Sequence, residues 1–162
     1  MNIQNATAAA IAIITHLRQI SQPDEKVKLL LPQVATETGG FSSNEEILDN
    51  NLSGIKFFGQ PEATQGRPVP ANEYNPHAKY GNFYSHYADL TLWVKDYLKV
   101  LQKGADPLQC TDIASFCATL KENSYMQADE AAYLHNLELW VNTFRLHLPA
   151  VTMPDGSVIQ LV

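Results

Sequence analysis

Glu37 is the residue whose type and position most clearly suggest chemistry. Val27, Leu30 and Val34 recur at helical spacing, and Glu37 is the next residue on that face. A Gly-Gly pair follows after one further residue and ends the helix. A carboxyl at the solvent end of a core-facing helix is partly desolvated, and desolvation raises its pKa. Such a group can keep a proton near neutral pH, as a general acid must.

The residues around Glu37 form a wider pattern. Segment 33–56 reads QVATETGGFSSNEEILDNNLSGIK, and its distinctive parts are Glu37-Thr38-Gly39, Asn50-Asn51-Leu52 and Gly54-Ile55-Lys56. This pattern resembles the signature of glycoside hydrolase family 73, whose members are bacterial and phage glucosaminidases that cut peptidoglycan. The resemblance implies a lysozyme-like fold, a groove for peptidoglycan glycan strands, and Glu37 as proton donor to a β-1,4 glycosidic bond.

One segment departs from the family pattern. The usual sequence after the Glu is of a Gly-Trp-Gly type, whereas this chain has Gly39-Gly40-Phe41. We therefore expect Phe41 to take the aromatic role and to contact the substrate. Weaker similarity continues in residues 84–101 and 123–125, so that the resemblance spans about residues 5–145.

The resemblance also implies a second carboxylate, in the β-lobe a few dozen residues downstream. It would stabilise the oxocarbenium-like transition state or activate a water. Glu73 fits the interval best, Glu62 is the second candidate, and Asp49 is a third. A route without a second carboxylate stays open, in which the N-acetyl oxygen of the substrate attacks the anomeric carbon.

Tyr125 is the third catalytic candidate. The segment from Asn123 to Asp129 is loosely similar to the family's Gly-Tyr-Ala-Thr-Asp run, whose tyrosine lies in the groove near the acid. The resemblance implies that Tyr125 hydrogen-bonds the N-acetyl group or orients a water. A tyrosine that only packs between two helices is the alternative.

Aromatic and polar side chains supply the candidate substrate contacts. Phe58, Tyr80 and Tyr84 are candidate platforms, because pyranose faces stack on aromatic rings. Trp93 falls on an apolar helix stripe, so we expect it to be buried. Asn51 and Glu62 are further candidate contacts, and bracing of the nearby loops is the favoured role for the amide of Asn51.

Helical spacing and breaker residues divide the chain into elements. We predict helices over about residues 5–20 and 27–38, with Pro32 kinking or splitting the second. Residues 41–87 lack helical periodicity, and we predict an irregular β-lobe at about residues 55–87 with short strands near 55–58 and 80–84.

Apolar stripes then predict three further helices, in the regions 90–101, 113–120 and 134–148. The tail, about residues 149–162, has a turn signal and is expected to form a hairpin or an extended arm. The predicted fold class is mainly α-helical (α+β). It consists of one lysozyme-like domain over residues 1–162, with a small β-lobe flanking a substrate groove.

Composition narrows the function classes. The chain has 162 residues, 45% of them apolar, and a net charge of −6. A nucleic-acid partner is not expected, because such proteins concentrate Lys and Arg. The first apolar run lacks a basic flank and is interrupted by His16 and Arg18, so we expect a core helix rather than a signal peptide or membrane span. The localisation and the export route therefore stay open.

Metal and disulfide chemistry are not predicted. The five histidines show no ligand spacing, and we assign no metal and no cofactor. If Cys110 and Cys117 shared one helix they would lie roughly 10 Å apart, too far for a disulfide. If Cys110 preceded the helix a bridge would be possible, and two free thiols are favoured. We expect a monomer, with an immunity or inhibitor protein as a candidate partner.

Three function hypotheses follow from these residues. The first is an endo-β-N-acetylglucosaminidase that cuts the bacterial cell wall with Glu37 as general acid. The second is a muramidase or lytic transglycosylase of similar fold. The third is a glycan-binding or structural module that has lost its chemistry, which the altered segment Gly39-Gly40-Phe41 keeps open.

Overall fold

The computed structural model describes residues 1–43 and 48–162, which contain five α-helices and two antiparallel two-stranded sheets. The helices are α1 (Ile3–Gln19), α2 (Val27–Glu37), α3 (Leu90–Leu101), α4 (Ile113–Glu122) and α5 (Glu130–His147). The strands are β1 (Thr64–Pro68), β2 (Phe83–His86), β3 (Ala150–Thr152) and β4 (Val158–Gln160). The mainly α-helical α+β class predicted from the sequence is confirmed. No helix among these residues is both long and apolar enough to span a bilayer.

Aspartate side chains begin the last three helices. Asp89 accepts hydrogen bonds from the first backbone N–H groups of α3, Asp112 from Ser115 of α4, and Asp129 from Ala132 of α5. Such caps satisfy N–H groups that have no partner inside the helix.

Helix α2 lies in the core, between α1 and α5. Its residues Val27, Leu30 and Val34 are fully buried, as the apolar stripe predicts. Pro32 lies inside one unbroken helix rather than at the start of a second one. Trp93 is also fully buried, stacked on Tyr97 with 5.0 Å between ring centroids, which confirms its predicted core position.

Three consecutive residues with positive φ follow α2. They are Gly39 (57°), Gly40 (77°) and Phe41 (63°). The turn carries the Phe41 ring into the core, where it is fully buried and meets Phe144 edge to face at 6.2 Å between centroids. The expectation that Phe41 contacts the substrate is therefore wrong, because a ring without exposed surface cannot stack on a sugar.

The β-lobe is a bulged hairpin. Thr64 pairs with His86 and Gln65 with Ser85, and the register shifts before Pro68. The predicted strand near 80–84 corresponds to β2, whereas the one near 55–58 reduces to a single bridge between Lys56 and Tyr84. Strand β1, with sequence TQGRP, has no alternating apolar pattern that could have revealed it.

Asp49 fastens the β-lobe to the rest of the protein. Its side chain is buried and lies 3.0 Å from Arg67 Nε on β1 and 3.4 Å from His86 Nδ1 on β2. A Cβ at Gly66 would lie 2.6 Å from Asp49 Oδ1, so only glycine fits there without a shift. Asp49 therefore joins both strands, and its burial removes it as a catalytic candidate.

The C-terminal segment forms a hairpin, β3–β4, that packs beside α1. Arg18 of α1 connects this hairpin to the body through ion pairs of 2.9 Å with both Asp24 and Asp155. Cys110 precedes α4 and Cys117 lies within it, and both are free thiols.

The turn after α2 yields a stability prediction. We expect Gly40→Ala to lower the free energy of unfolding by about 2–4 kcal/mol, and Gly39→Ala by about 1–2 kcal/mol. Both alanines must adopt a positive φ, but only the Cβ at position 40 meets another side chain, 2.6 Å from Trp140 Cη2. Urea denaturation of the two variants measures the difference, and equal losses would contradict a costly Trp140 contact.

Candidate active site

A groove of about 530 Å³ separates the helical body from the β-lobe. Its walls come from the end of α2, the segment 53–60, the second half of α3 and the loop before α5. Glu37, Phe58, Asp96 and Tyr125 are among the lining residues. A smaller cavity of about 290 Å³ adjoins it and shares Glu37 and Lys56 with it. The two cavities therefore meet at Glu37, which stands in the wall of both.

Glu37 combines access to solvent with a partly desolvated carboxyl. The residue is exposed toward the groove, yet the protein that surrounds the carboxyl excludes enough water for burial to raise its pKa. Hydrogen bonds from the Tyr133 hydroxyl (2.7 Å) and Gln33 Nε2 (3.1 Å) to Oε1 oppose this rise. Desolvation is the larger effect, so the pKa of Glu37 lies above its ordinary value.

Three tyrosines surround Glu37 and Gln33. Tyr125 is half-buried in the groove wall, and its hydroxyl accepts a hydrogen bond of 2.9 Å from Gln33 Nε2. The hydroxyl of Tyr97, which is buried in α3, donates to Gln33 Oε1. Burial and the charge of Glu37 raise the pKa values of Tyr125 and Tyr133, so both phenols stay protonated.

Of the proposed second carboxylates, Glu73 lines the smaller cavity and Glu62 lines neither cavity. Glu73 lines the smaller cavity with Glu37 and forms a 2.9 Å ion pair with Lys56. Glu62 lines neither of these cavities, and it is bound to Lys99 at 3.0 Å. The hydrogen bond from Lys99 lowers the pKa of Glu62.

The known proteins that match this chain do so through their three-dimensional structures. No family model and no curated protein matches the chain. A peptidoglycan hydrolase mutant from Sphingomonas sp. A1 is similar, with a TM-score of 0.60, 21% identity, and coverage of 90% of this chain and 97% of that one. The chain has a lysozyme-like fold. This is the fold that the resemblance to glycoside hydrolase family 73 implies.

Two further structures share the lysozyme-like fold. One is the catalytic domain of the autolysin Auto from Listeria monocytogenes, at 14% identity and a TM-score of 0.58, covering 88% of this chain and 84% of that one. The other is a type VI secretion system effector–immunity complex from Pseudomonas protegens, at 15% identity and a TM-score of 0.57, covering 88% and 94%. At these identities the likeness concerns the fold.

In this lysozyme-like fold the candidate sugar platforms Phe58, Tyr80 and Tyr84 have different positions. The Phe58 side chain is 60% exposed and lines the groove. Tyr80 is 41% exposed but lines neither cavity, and Lys79 Nζ lies 4.9 Å from the centre of its ring. Tyr84 lines the smaller cavity, so Phe58 and Tyr84 are the candidate platforms that border the two cavities.

Asn51 has a bracing position rather than a sugar-binding one. It is fully buried, and its Nδ2 donates to the carbonyls of Ile55 (2.8 Å) and Ser85 (3.1 Å). Its Oδ1 accepts from the N–H of Ile55 at 3.0 Å. The candidate role in substrate binding is therefore corrected, because every hydrogen bond of this amide holds the β-lobe.

Sequence reasoning missed three residues of the site: Gln33, Tyr133 and Asp96. Gln33 stands four residues before Glu37, a spacing that makes helix neighbours and could have indicated it. Tyr133 and Asp96 carry no local signal, because distant parts of the chain supply them. Helix α5 brings Tyr133 to Glu37, and α3 brings Asp96 to the groove. Asp96 is buried in the groove wall, where burial raises its pKa, and it accepts from the Tyr87 hydroxyl at 3.2 Å.

Metal ligands are not grouped here. In the two described ranges, no three His, Cys, Asp or Glu side chains lie together as a metal site would require.

The raised pKa of Glu37 predicts a pH-dependent stability difference. Because the pKa of Glu37 is higher in the folded state than in the unfolded state, the proton on Glu37 stabilises the folded state. This stabilisation is complete below about pH 4.5 and is lost as the pH rises through the folded pKa. The Glu37→Gln variant has no ionisable group at this position, so its stability does not fall for this reason as the pH rises. We expect the variant to gain melting temperature relative to the wild type between pH 4.5 and 8, by no more than about 3 °C because the site is open. A constant difference across this range, by calorimetry, would contradict the shift.

Proposed function

We propose that the protein is a peptidoglycan hydrolase, an endo-β-N-acetylglucosaminidase that cleaves β-1,4 bonds of the bacterial cell wall. The observation that carries the proposal is the environment of Glu37. Its carboxyl is accessible from the groove, and burial raises its pKa. A general acid must hold its proton at the working pH and still reach the substrate. We further propose that residues 1–162 act as one catalytic domain.

The proposed reaction begins with proton transfer from Glu37 to the glycosidic oxygen. The bond to the leaving sugar then breaks, and positive charge develops on the anomeric carbon. A groove that continues past Glu37 into the smaller cavity suits a polymer bound on both sides of the cut bond. The exposed ring of Phe58 would stack on one sugar face.

We propose Glu73 as the second carboxylate. Glu73 lines the smaller cavity with Glu37 and is held there by its 2.9 Å ion pair with Lys56. From this position its carboxyl group would stabilise the cationic transition state or activate a water. Tyr125, in the wall beside Glu37, would hydrogen-bond the N-acetyl group. The substrate-assisted route remains the competing mechanism, in which the N-acetyl oxygen attacks the anomeric carbon and no second carboxylate is needed.

The comparisons support the substrate class. The Sphingomonas neighbour is described as a peptidoglycan hydrolase and the Listeria neighbour as an autolysin. The motif at 37–56 favours cleavage after N-acetylglucosamine over the muramidase or transglycosylase alternatives. The inactive-module alternative is weakened, because the altered residue Phe41 serves the core and leaves the groove unaffected.

A protein partner is also proposed. One structural neighbour is part of an effector–immunity complex. By analogy, an immunity or inhibitor protein would act on this chain by covering the groove beside Glu37.

The first functional prediction concerns Glu37. We expect Glu37→Gln to reduce release of soluble muropeptides from purified cell walls by about 10²–10⁴-fold, because the proton donor is lost. Binding to the walls should persist, since the amide has the same shape. Mass spectrometry of wild-type products should show N-acetylglucosamine at the reducing end. N-acetylmuramic acid there would indicate a muramidase, and a 1,6-anhydro ring a transglycosylase. Undiminished lysis by Glu37→Gln would exclude Glu37 as the acid.

The second functional prediction separates the two carboxylate candidates. Glu73→Gln should lower kcat by about 100-fold or more, because a charge near the anomeric carbon is removed. Glu62→Gln is the matched control and should keep a near wild-type kcat, since Glu62 lies outside the groove lining. Initial rates on the same wall preparation provide the comparison. A larger loss in Glu62→Gln than in Glu73→Gln would reverse the assignment.

A further inference from the structure

Gln33 is a buried amide at the centre of the hydrogen bonds that hold Glu37. It lies on α2 four residues before Glu37, so the two side chains are neighbours on one face of the helix. Its exposed fraction is 0%, and it lines neither cavity. Any influence of Gln33 on a ligand in the groove must therefore pass through another side chain.

The orientation of the Gln33 amide is set by its partners. The Tyr97 hydroxyl donates to Oε1, and Nε2 is directed at Glu37 Oε1 (3.1 Å) and the Tyr125 hydroxyl (2.9 Å). A flipped amide would place its carbonyl oxygen against the carboxylate oxygen, and both atoms are acceptors. The amide is consequently held with its N–H groups toward Glu37.

Glu37 Oε1 has a second donor in the Tyr133 hydroxyl, at 2.7 Å. An oxygen that accepts two hydrogen bonds is a poor place for a proton, because that proton would face two other hydrogens. Oε2 makes no hydrogen bond to the residues that the structure describes. The two carboxyl oxygens of Glu37 are therefore inequivalent.

We propose that Gln33 is a positioning residue that, together with Tyr133, holds Glu37 Oε1 as an acceptor and so keeps the dissociable proton on Oε2. The inference deepens the proposed function, since Oε2 is then the atom that protonates the glycosidic oxygen. The proton leaves Oε2 as the glycosidic C–O bond breaks, and the leaving oxygen receives it. The two donors on Oε1 then stabilise the carboxylate that remains.

Other ionisable groups face the same site. Tyr97 and Asp96 come from α3, Tyr125 from the loop before α5, and Lys56 and Glu73 from the β-lobe. Within the described residues, none of these five donates a hydrogen bond to Glu37. Direct contact with the carboxyl is made by Gln33 and Tyr133, so these are the residues to change.

The decisive variant is Gln33→Met, which keeps the side-chain length and removes the donor. We expect the pKa of Glu37 to rise by about one unit, because a hydrogen bond to the charged form is lost. Titration of the ¹³Cδ signal of Glu37 by NMR, assigned by its absence in Glu37→Gln, measures this without turnover. The basic limb of the kcat–pH profile should move to higher pH by the same amount.

Kinetics distinguishes positioning from folding support. In Gln33→Met we expect kcat to fall by about tenfold to a hundredfold and KM to stay within about twofold, because Gln33 does not touch the substrate. Gln33→Met with Tyr97→Phe avoids leaving the Tyr97 hydroxyl unpaired, should Gln33→Met alone fold poorly. Tyr133→Phe removes the other donor and should raise the pKa of Glu37 in the same direction.

Thr38→Val is the matched control for local disturbance. Its buried hydroxyl contacts Val34 O and Phe41 N but not Glu37, so the pKa of Glu37 should not change. Folded variants at Gln33 and Tyr133 that leave this pKa and kcat at wild-type values would overturn the proposal. A wild-type protein that fails to cut cell walls, but whose Glu37 pKa responds as expected, would instead refute the proposed function alone.

Discussion

Helix α2 must bury its apolar face and still end with a carboxyl in contact with water, and the rest of the structure depends on this requirement. The stripe Val27, Leu30 and Val34 places the helix between α1 and α5. The same stripe, continued by one turn, carries Glu37 to the surface of the core. The chain then has to turn away at once, which the three positive-φ residues after α2 accomplish.

The turn after α2 also explains the unusual residue at position 41. A phenylalanine with positive φ is strained, and that strain is offset by complete burial of its ring against Phe144. The Thr38 hydroxyl accepts from the Phe41 N–H at 2.9 Å and so stabilises the turn. The aromatic residue in this motif thus anchors the loop after Glu37 from inside the core, whereas Phe58 is exposed in the groove.

Two opposing effects act on the Glu37 carboxyl. Desolvation raises its pKa, whereas Tyr133 and Gln33 lower it by donating to Oε1. A fully desolvated acid would hold its proton too firmly, and a well-solvated one would lose it below neutral pH. The buried polar groups around Glu37 therefore adjust its acidity as well as its orientation.

The β-lobe uses buried polar groups differently. Asp49 and Asn51 fix the position of the β-lobe, because its strands bury little apolar surface.

The sequence by itself determined the helical elements, the core stripe of α2 and the position of Glu37 at its end, because these depend on local periodicity and breaker residues. It also identified Glu73 and Tyr125 as residues worth testing, through a resemblance rather than through geometry. Only the tertiary structure decided that Phe41 lies in the core and that Gln33 and Tyr133 hold the acid. The reason is physical: the direction of a side chain after a left-handed turn, and contacts between α2 and α5, depend on how distant segments pack, and no local pattern records that packing.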